Sequence, residues 1–469
     1  MTEILLPDDF VLGVATSAYQ VEGAAHEDGK GASIWDVFTR TPGKTIGDVP
    51  GDAGVDHYHR LTEDIGHMRR LGVDSYRFSL SWPRLLPNGT GTPNQAGIDF
   101  YDRLIDQTLA AGIRPHVTLY HWDLPHALQE RGGWPNRDVI GWFEDYARLA
   151  FDRFGDRVTQ WTTLNEPIAL WVGYGMGVFA PGEADPVRGK QAMHNAMVAH
   201  GRAVQAYRES GCRGDIGIVV DVWRRHPATG SRADRDLALA EEDDSFRFFF
   251  DELFGGGWSA RLQQRLDATG LTPMVEDGDF ATARAPLDFI GLNVYSRIVV
   301  RATDPRTPWW TSENADRLPG GNYLSGGREF YPAALSDALA VLRDEYGVTT
   351  PVYITENGVS GPDETPGVDG RVHDADRITY LSGFLADAEA AARRGLGVKG
   401  FYAWSLLDNY EWAAAYTEKF GLLHVDLETM QRTWKDSADW YARVCHERRF
   451  AFDHPEILGP TSGLPIGRM

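Results

Sequence analysis

The chain has 469 residues, 42% of them hydrophobic and 24% charged, and 67 acidic against 46 basic side chains leave a formal net charge of −21. That is the length and composition of a globular, enzyme-sized protein, and the acidic excess repels the phosphates and anionic headgroups that nucleic-acid and membrane-surface binders must attract. Cys212 and Cys445 stand too far apart for a disulfide framework or a CxxC metal knuckle, no apolar run approaches a bilayer span, and Met1–Asp9 lacks the regions of an export signal, so a cytoplasmic protein is expected.

Along the chain, short β-branched apolar runs alternate with longer segments of helical period. Val11–Thr16 leads to the helical stretch His57–Leu71, Val73–Leu80 to Gly97–Ala111, Arg114–His121 to Val139–Phe154, and Gln160–Asn165 to Ala192–Arg208. Ile216–Val222 and Asp288–Asn293 follow, then helical Ala333–Tyr346, Val352–Glu356, helical Asp374–Arg394, Lys399–Ser405 and a last helix at Trp434–His446. Eight such runs predict an α/β fold, a (β/α)8 TIM barrel forming one domain over residues 1–450, with a tail at 451–469. The runs start about 40 to 70 residues apart, so the loops after the fourth, fifth and sixth are expected to carry insertions.

A barrel of this kind carries its chemistry at the C-terminal ends of its strands. Those ends are polar and aromatic here: Ser17-Ala18-Tyr19-Gln20, Arg77-Phe78-Ser79, His121-Trp122-Asp123, Asn165-Glu166-Pro167, Asn293-Val294-Tyr295, Thr355-Glu356-Asn357-Gly358 and Trp404-Ser405, followed by Asp408-Asn409-Tyr410-Glu411-Trp412. Glu166 and Glu356 each stand directly after an apolar strand, a costly position for a carboxylate without a purpose. Two facing carboxyl groups are the minimum equipment for cleaving a glycosidic bond: one protonates the departing oxygen while the other attacks the anomeric carbon or activates water. Gln, Asn, His and Glu suit sugar hydroxyls, and Trp suits the apolar face of a pyranose.

The motifs Phe10–Glu22 (FVLGVATSAYQVE), Tyr76–Trp82 (YRFSLSW), Leu119–Pro125 (LYHWDLP), Thr163–Pro167 (TLNEP), Ile354–Gly358 (ITENG) and Tyr402–Trp412 (YAWSLLDNYEW) resemble, in order, those of the β-glucosidases of glycoside hydrolase family one, over nearly everything from Phe10 to His446. The resemblance implies a retaining double displacement with Glu166 as general acid/base and Glu356 as nucleophile, Arg77 favouring the charged form of Glu356 and Tyr295 donating to it. It also implies that Gln20, His121, Asn165, Glu411 and Trp412 hold sugar hydroxyls, that Asn165 contacts the 2-hydroxyl, and that Trp404 lies beneath the ring. Trp122, Asn293 and Phe420 complete the implied sugar site.

Glu411 stands where the phospho-glucosidase branch has Ser, and Glu166 where the thioglucosidase branch has Gln, so an unphosphorylated oxygen glycoside is the implied substrate. The expected partner is thus a small β-glucoside or short oligosaccharide, with no nucleic acid, membrane, metal or cofactor; loop shape and surface, not these motifs, govern the aglycone and any homo-oligomer. Ile168 and Arg432-Thr433-Trp434 depart from the family wording and are read as bearing on the leaving-group side, while Asp221-Val222-Trp223 and Trp309-Trp310 are candidates for the mouth of the site.

Two readings from other classes compete. A metal-dependent barrel hydrolase would use an HxH at the end of the first strand; His57-Tyr58-His59 has the letters but opens a helix, where a solvated face is expected. A sugar-binding protein without turnover would keep the fold and lose a carboxylate, and both are present.

Overall fold

The computed structural model describes residues 2–302, 322–324, 327–361 and 365–452. Its centre is a closed barrel of eight parallel strands: β1 Val11–Ala15, β2 Ser75–Ser79, β3 Arg114–Tyr120, β4 Gln160–Asn165, β5 Asp215–Asp221, β6 Phe289–Asn293, β7 Val352–Asn357 and β8 Val398–Trp404. Every expected run is a barrel strand, and each pairs with its neighbours in sequence before β8 closes on β1 through Gly400↔Val11 to Trp404↔Ala15. Parallel strands buried on both faces read as continuous apolar runs, which is why they stand out in the sequence.

The outer layer holds α1 His57–Leu71, α2 Gln95–Ala110, α3 Val139–Phe154, α4 Pro186–Ser210, α5 Ala334–Ala340, α6 Ala375–Arg393 and α7 Asp436–Glu447. Gly72 ends α1 in the left-handed conformation (φ 75°), its N–H reaching back to Met68 and Arg69. α4 starts six residues before the expected boundary because the Asp185 side chain caps Val187 and Arg188 and Pro186 occupies the first turn. The expected helix Ala333–Tyr346 is α5 followed by a π-helical turn, Val341–Glu345.

The longest insertion, between β5 and β6, contains helices Arg232–Asp244, Phe246–Phe250, Ala260–Thr269 and Asp279–Ala283 and a small strand, Arg224–Pro227, that pairs with Arg297–Val300 after β6. At the opposite end of the barrel, Thr2–Leu5 pairs antiparallel with Arg449–Phe452. Arg448 strengthens that clasp by donating to Asp74, just ahead of β2, at 3.0 Å. Ala451 and Phe452 therefore belong to a strand; the rest of the expected tail lies outside the described residues.

Two expectations need correcting. His57 is not on a solvated face: it is buried, with Nδ1 2.7 Å from Asp64 Oδ2, while Arg432 donates to the same carboxylate at 2.7 Å. His59 is the exposed member, between Asp56 and Glu27. Arg432-Thr433-Trp434 accordingly packs against α1, with Trp434 Nε1 donating to His67, and not on a leaving-group side.

Within the barrel, below the strand ends, Tyr402 donates to Ser75 Oγ at 3.0 Å and His116 Nε2 lies 2.8 Å from Thr162 Oγ1. Burial, and then the charges of Arg77 and Arg114, push the His116 pKa far below the usual imidazole value, so its ring is uncharged.

Candidate active site

The C-terminal strand ends bring Arg77, Asn165, Glu166, Asn293, Tyr295 and Glu356 into one hydrogen-bonded group. Arg77, in the middle of β2, donates through Nη1 to Glu356 Oε1 at 2.7 Å and through Nη2 to Asn165 Oδ1 at 2.6 Å. Tyr295 donates to the other oxygen of Glu356 at 2.9 Å. Asn293 is oriented by Thr355, whose hydroxyl donates to its Oδ1, so its Nδ2 donates to Glu166 Oε1 at 2.7 Å and to Asn165 Oδ1 at 3.1 Å.

With two donors on its oxygen, Asn165 must turn its own N–H toward His121 Nε2, 3.0 Å away. His121 is buried, and burial together with the charge of Arg77 drives its pKa far down, so the ring is neutral and carries its proton on Nδ1. That buried N–H has no partner among the described residues.

The rings assemble around these groups. His121 stacks between Trp404 and Trp412, both centroids at 5.9 Å; Trp122 packs on Trp412 at 4.4 Å and donates to the Asn165 carbonyl at 2.8 Å. Tyr295, Trp404 and Phe420 share a second apolar cluster with Val11, Ala15 and Tyr402, against which Trp223 packs. Gln20 accepts from Ser17 and donates to Asn409, to the Tyr410 carbonyl and, at 3.2 Å, to Glu411. Burial, reinforced by the charges of Glu418 and Glu356, pushes the Glu411 pKa up to about 8. At neutral pH its carboxyl therefore carries a proton and can donate as well as accept.

Gly358 gives the strand end room: a Cβ there would lie 1.8 Å from the Trp404 carbonyl oxygen. Trp122 (φ 83°), Glu166 (φ 45°) and Trp412 (φ 51°) all adopt left-handed backbone, a conformation that costs a non-glycine residue about 1 kcal/mol or more and collects at functional sites.

The two glutamates are treated unequally. Burial raises Glu356, but Arg77 and Tyr295 pull it back; burial raises Glu166 well above the ordinary carboxylic range, and the charges of Asp221 and then Glu356 push in the same direction. Such a pair can supply a proton from one carboxyl group and a nucleophile from the other.

Asp221 is the residue whose part the sequence did not disclose. It ends β5 in register with Asn293, so its side chain lies beside the one that holds Glu166, and the Glu166 N–H bonds to Val219 on the same strand at 2.9 Å. Asp221 is buried, its Oδ1 accepts no hydrogen bond, and burial lifts its pKa to about 7. Nothing in its sequence neighbourhood signals this, because the carboxylates it meets come from β4 and β7. Of the other mouth candidates, Trp223 stacks on Tyr295 at 5.9 Å, Ile168 is buried in the main core, and Trp309-Trp310 lie outside the described residues. Among the described residues, no group of three His, Cys, Asp or Glu side chains could hold a metal ion.

The family model described as Glycosyl hydrolase family 1 matches residues 2–450. Beta-glucosidase A of Thermotoga maritima is 42% identical over 440 residues, covering 93% of this chain and 97% of that one. The 1,4-beta-D-glucan glucohydrolase of Thermotoga neapolitana is 40% identical over 440 residues, covering 93% and 97%. Among solved structures, the Thermotoga maritima beta-glucosidase in complex with glucoimidazole superposes with a TM-score of 0.89 at 41% identity, covering 95% of this chain and 99% of that one.

Proposed function

Because the chain belongs to glycosyl hydrolase family 1, we propose that it is a retaining β-glucosidase, releasing terminal non-reducing β-D-glucosyl residues from cellobiose, cello-oligosaccharides or aryl and alkyl β-glucosides. The observation that carries this reading is the unequal setting of two carboxyl groups at the ends of β4 and β7. Glu356 is gripped by Arg77 at 2.7 Å and Tyr295 at 2.9 Å, whereas Glu166 has Asn293 at 2.7 Å and two neighbouring carboxylates.

In the first step a Glu356 oxygen bonds to the anomeric carbon, the bond from that carbon to the leaving oxygen breaks, and the Glu166 proton passes to the leaving oxygen. Forming the glycosyl ester removes the charge of Glu356, and with it one of the influences that kept Glu166 protonated. Glu166 then takes a proton from water as the water oxygen displaces Glu356, which returns both groups to their starting states.

Asn165, fixed by Arg77 and Asn293, is assigned to the 2-hydroxyl, where hydrogen bonds strengthen as the oxocarbenium-like transition state forms. His121, Gln20 and Glu411 are assigned to the remaining hydroxyls with Trp412, and Trp404 to the apolar ring face; Trp122, Asn293 and Phe420 complete the wall. The free thiols of Cys212 and Cys445 suit a reducing, cytoplasmic setting. Among the described residues no helix is long and apolar enough to cross a membrane.

The test is proton NMR of an aryl β-D-glucoside during the first minutes of reaction. β-Glucose appearing ahead of mutarotation is the expected result. Initial α-glucose would overturn the covalent mechanism, and the absence of glucose would overturn the assigned sugar.

A further inference from the structure

Arg328 sits half-buried at the rim of the site, its guanidinium carbon 5.7 Å from the ring centre of Trp223, 5.8 Å from Tyr295 and 5.9 Å from Phe420. Tyr295 is the phenol that donates to Glu356, so this cation stands one ring away from the reacting centre. The rings come from three separate segments, after β5, β6 and β8, which makes a shallow aromatic cup with a positive charge upon it.

That charge has no ion-pair partner among the described residues. The adjacent Glu329 is taken by Arg297, which binds its two oxygens at 3.0 and 2.8 Å. Glu411 feels the field of Arg328, but Gln20 holds it and its pKa stands near 8. A half-desolvated guanidinium without a counter-ion attracts an anion from solution, and a carboxylate is the planar, bidentate acceptor that matches its fork of N–H donors.

We propose that Arg328, with Trp223, forms a subsite for an aromatic leaving group that carries a carboxylate, so that β-D-glucosides of hydroxylated aromatic acids are preferred substrates. The subsite rests on the β-glucosidase reading above. A negative charge on the sugar itself would face the charge of Glu356, whereas a leaving group extends outward from Glu166. Trp223 comes two residues after Asp221, the carboxylate beside Glu166, and so borders that exit. A glucan chain would supply stacking but nothing to neutralise the cation.

The experiment compares kcat/KM for the β-D-glucoside of 4-hydroxybenzoate with that of its methyl ester, in the wild type, Arg328→Met and Arg328→Lys, at neutral pH and low salt. Taking the carboxylate-to-ester ratio of each protein against that of the wild type cancels the different leaving abilities of the two phenols. The ratio is expected to fall about tenfold in Arg328→Met and less in Arg328→Lys. It should also fall in the wild type, and stay level in Arg328→Met, when salt is raised to about 0.5 M. An identical ratio in all three proteins overturns the subsite.

Turnover of neutral 4-nitrophenyl β-D-glucoside by the wild type, measured alongside, separates the two claims. Its absence overturns the glucosidase reading and the subsite with it; its presence with an unchanged ratio overturns the subsite alone. A wild-type preference for 4-nitrophenyl β-D-glucoside 6-phosphate over the unphosphorylated compound, lost in Arg328→Met, would put the anion on the sugar and equally overturn the proposal.

Discussion

Two buried charge clusters in this molecule are built in opposite ways. At the strand ends the charge of Glu356 bears on Glu166, Asp221 and Glu411, and all four carboxyl groups have raised pKa values, burial being the largest cause in each. Between α4 and the long insertion, His194 lies 3.1 Å from both Glu252 oxygens and 3.1 Å from Asp279. Trp258 donates to Glu252 at 3.0 Å, and Arg137 donates to both oxygens of Asp279. Charges in the second cluster are matched; those in the first are mismatched, and Glu166 sits there on left-handed backbone. A matched cluster fastens elements together, while a mismatched one keeps protons where water would remove them, at a cost in stability.

The largest effect should come from Glu356→Gln, which removes the proposed nucleophile together with a buried charge. Its kcat/KM on an aryl glucoside is expected to fall about 10⁴-fold or more, while its melting temperature holds or rises. A loss of fold in calorimetry would place Glu356 with the fastening cluster instead. Glu166→Ala is expected to lose about 10³-fold on alkyl glucosides and far less on activated aryl ones, since only the former need the proton; equal losses would remove the acid role.

His194→Ala attacks the other cluster. It should destabilise the protein by about 3 kcal/mol by leaving the buried Glu252 without its cation, while Asp279 keeps Arg137, yet folded molecules should retain turnover. Burial pushes the His194 pKa down, but Glu252 and Asp279 more than offset it, so the folded value lies above the ordinary 6.5. A raised folded value means that the contribution is complete below pH 6.5 and is lost as pH rises through the folded pKa, so the deficit in urea unfolding should narrow as pH rises from 6.5 through that folded pKa.

The smallest effect is the most diagnostic. Asp221→Asn removes one of the charges that keep Glu166 protonated, so the basic limb of the kcat/KM profile should move to lower pH, with a several-fold loss near pH 8 and little change on the acid side. An unmoved limb would mean that Asp221 is a spectator in the site.

All eight barrel strands were legible because each is a short apolar run buried on both faces, and the strand-end residues Arg77, Asn165, Glu166, Asn293, Tyr295 and Glu356 could be named because fixed motifs follow those runs. Long-range pairing was not legible. Arg224–Pro227 finds Arg297–Val300 across the insertion, and His57 becomes buried through Asp64 and Arg432, both choices made by distant chain. Arg328 escaped for the same reason, and Asp221 was read only as a residue of the mouth, since each takes its meaning from side chains on other strands and loops.

The clasp between Thr2–Leu5 and Arg449–Phe452 gives the molecule a handle. The two segments lie side by side at the floor end of the barrel, where β1 begins, and the rim that bears Glu166, Glu356 and Arg328 is at the other end. A tether, a resin or a fused domain attached at either segment would hold the protein by its base and leave the mouth facing outward.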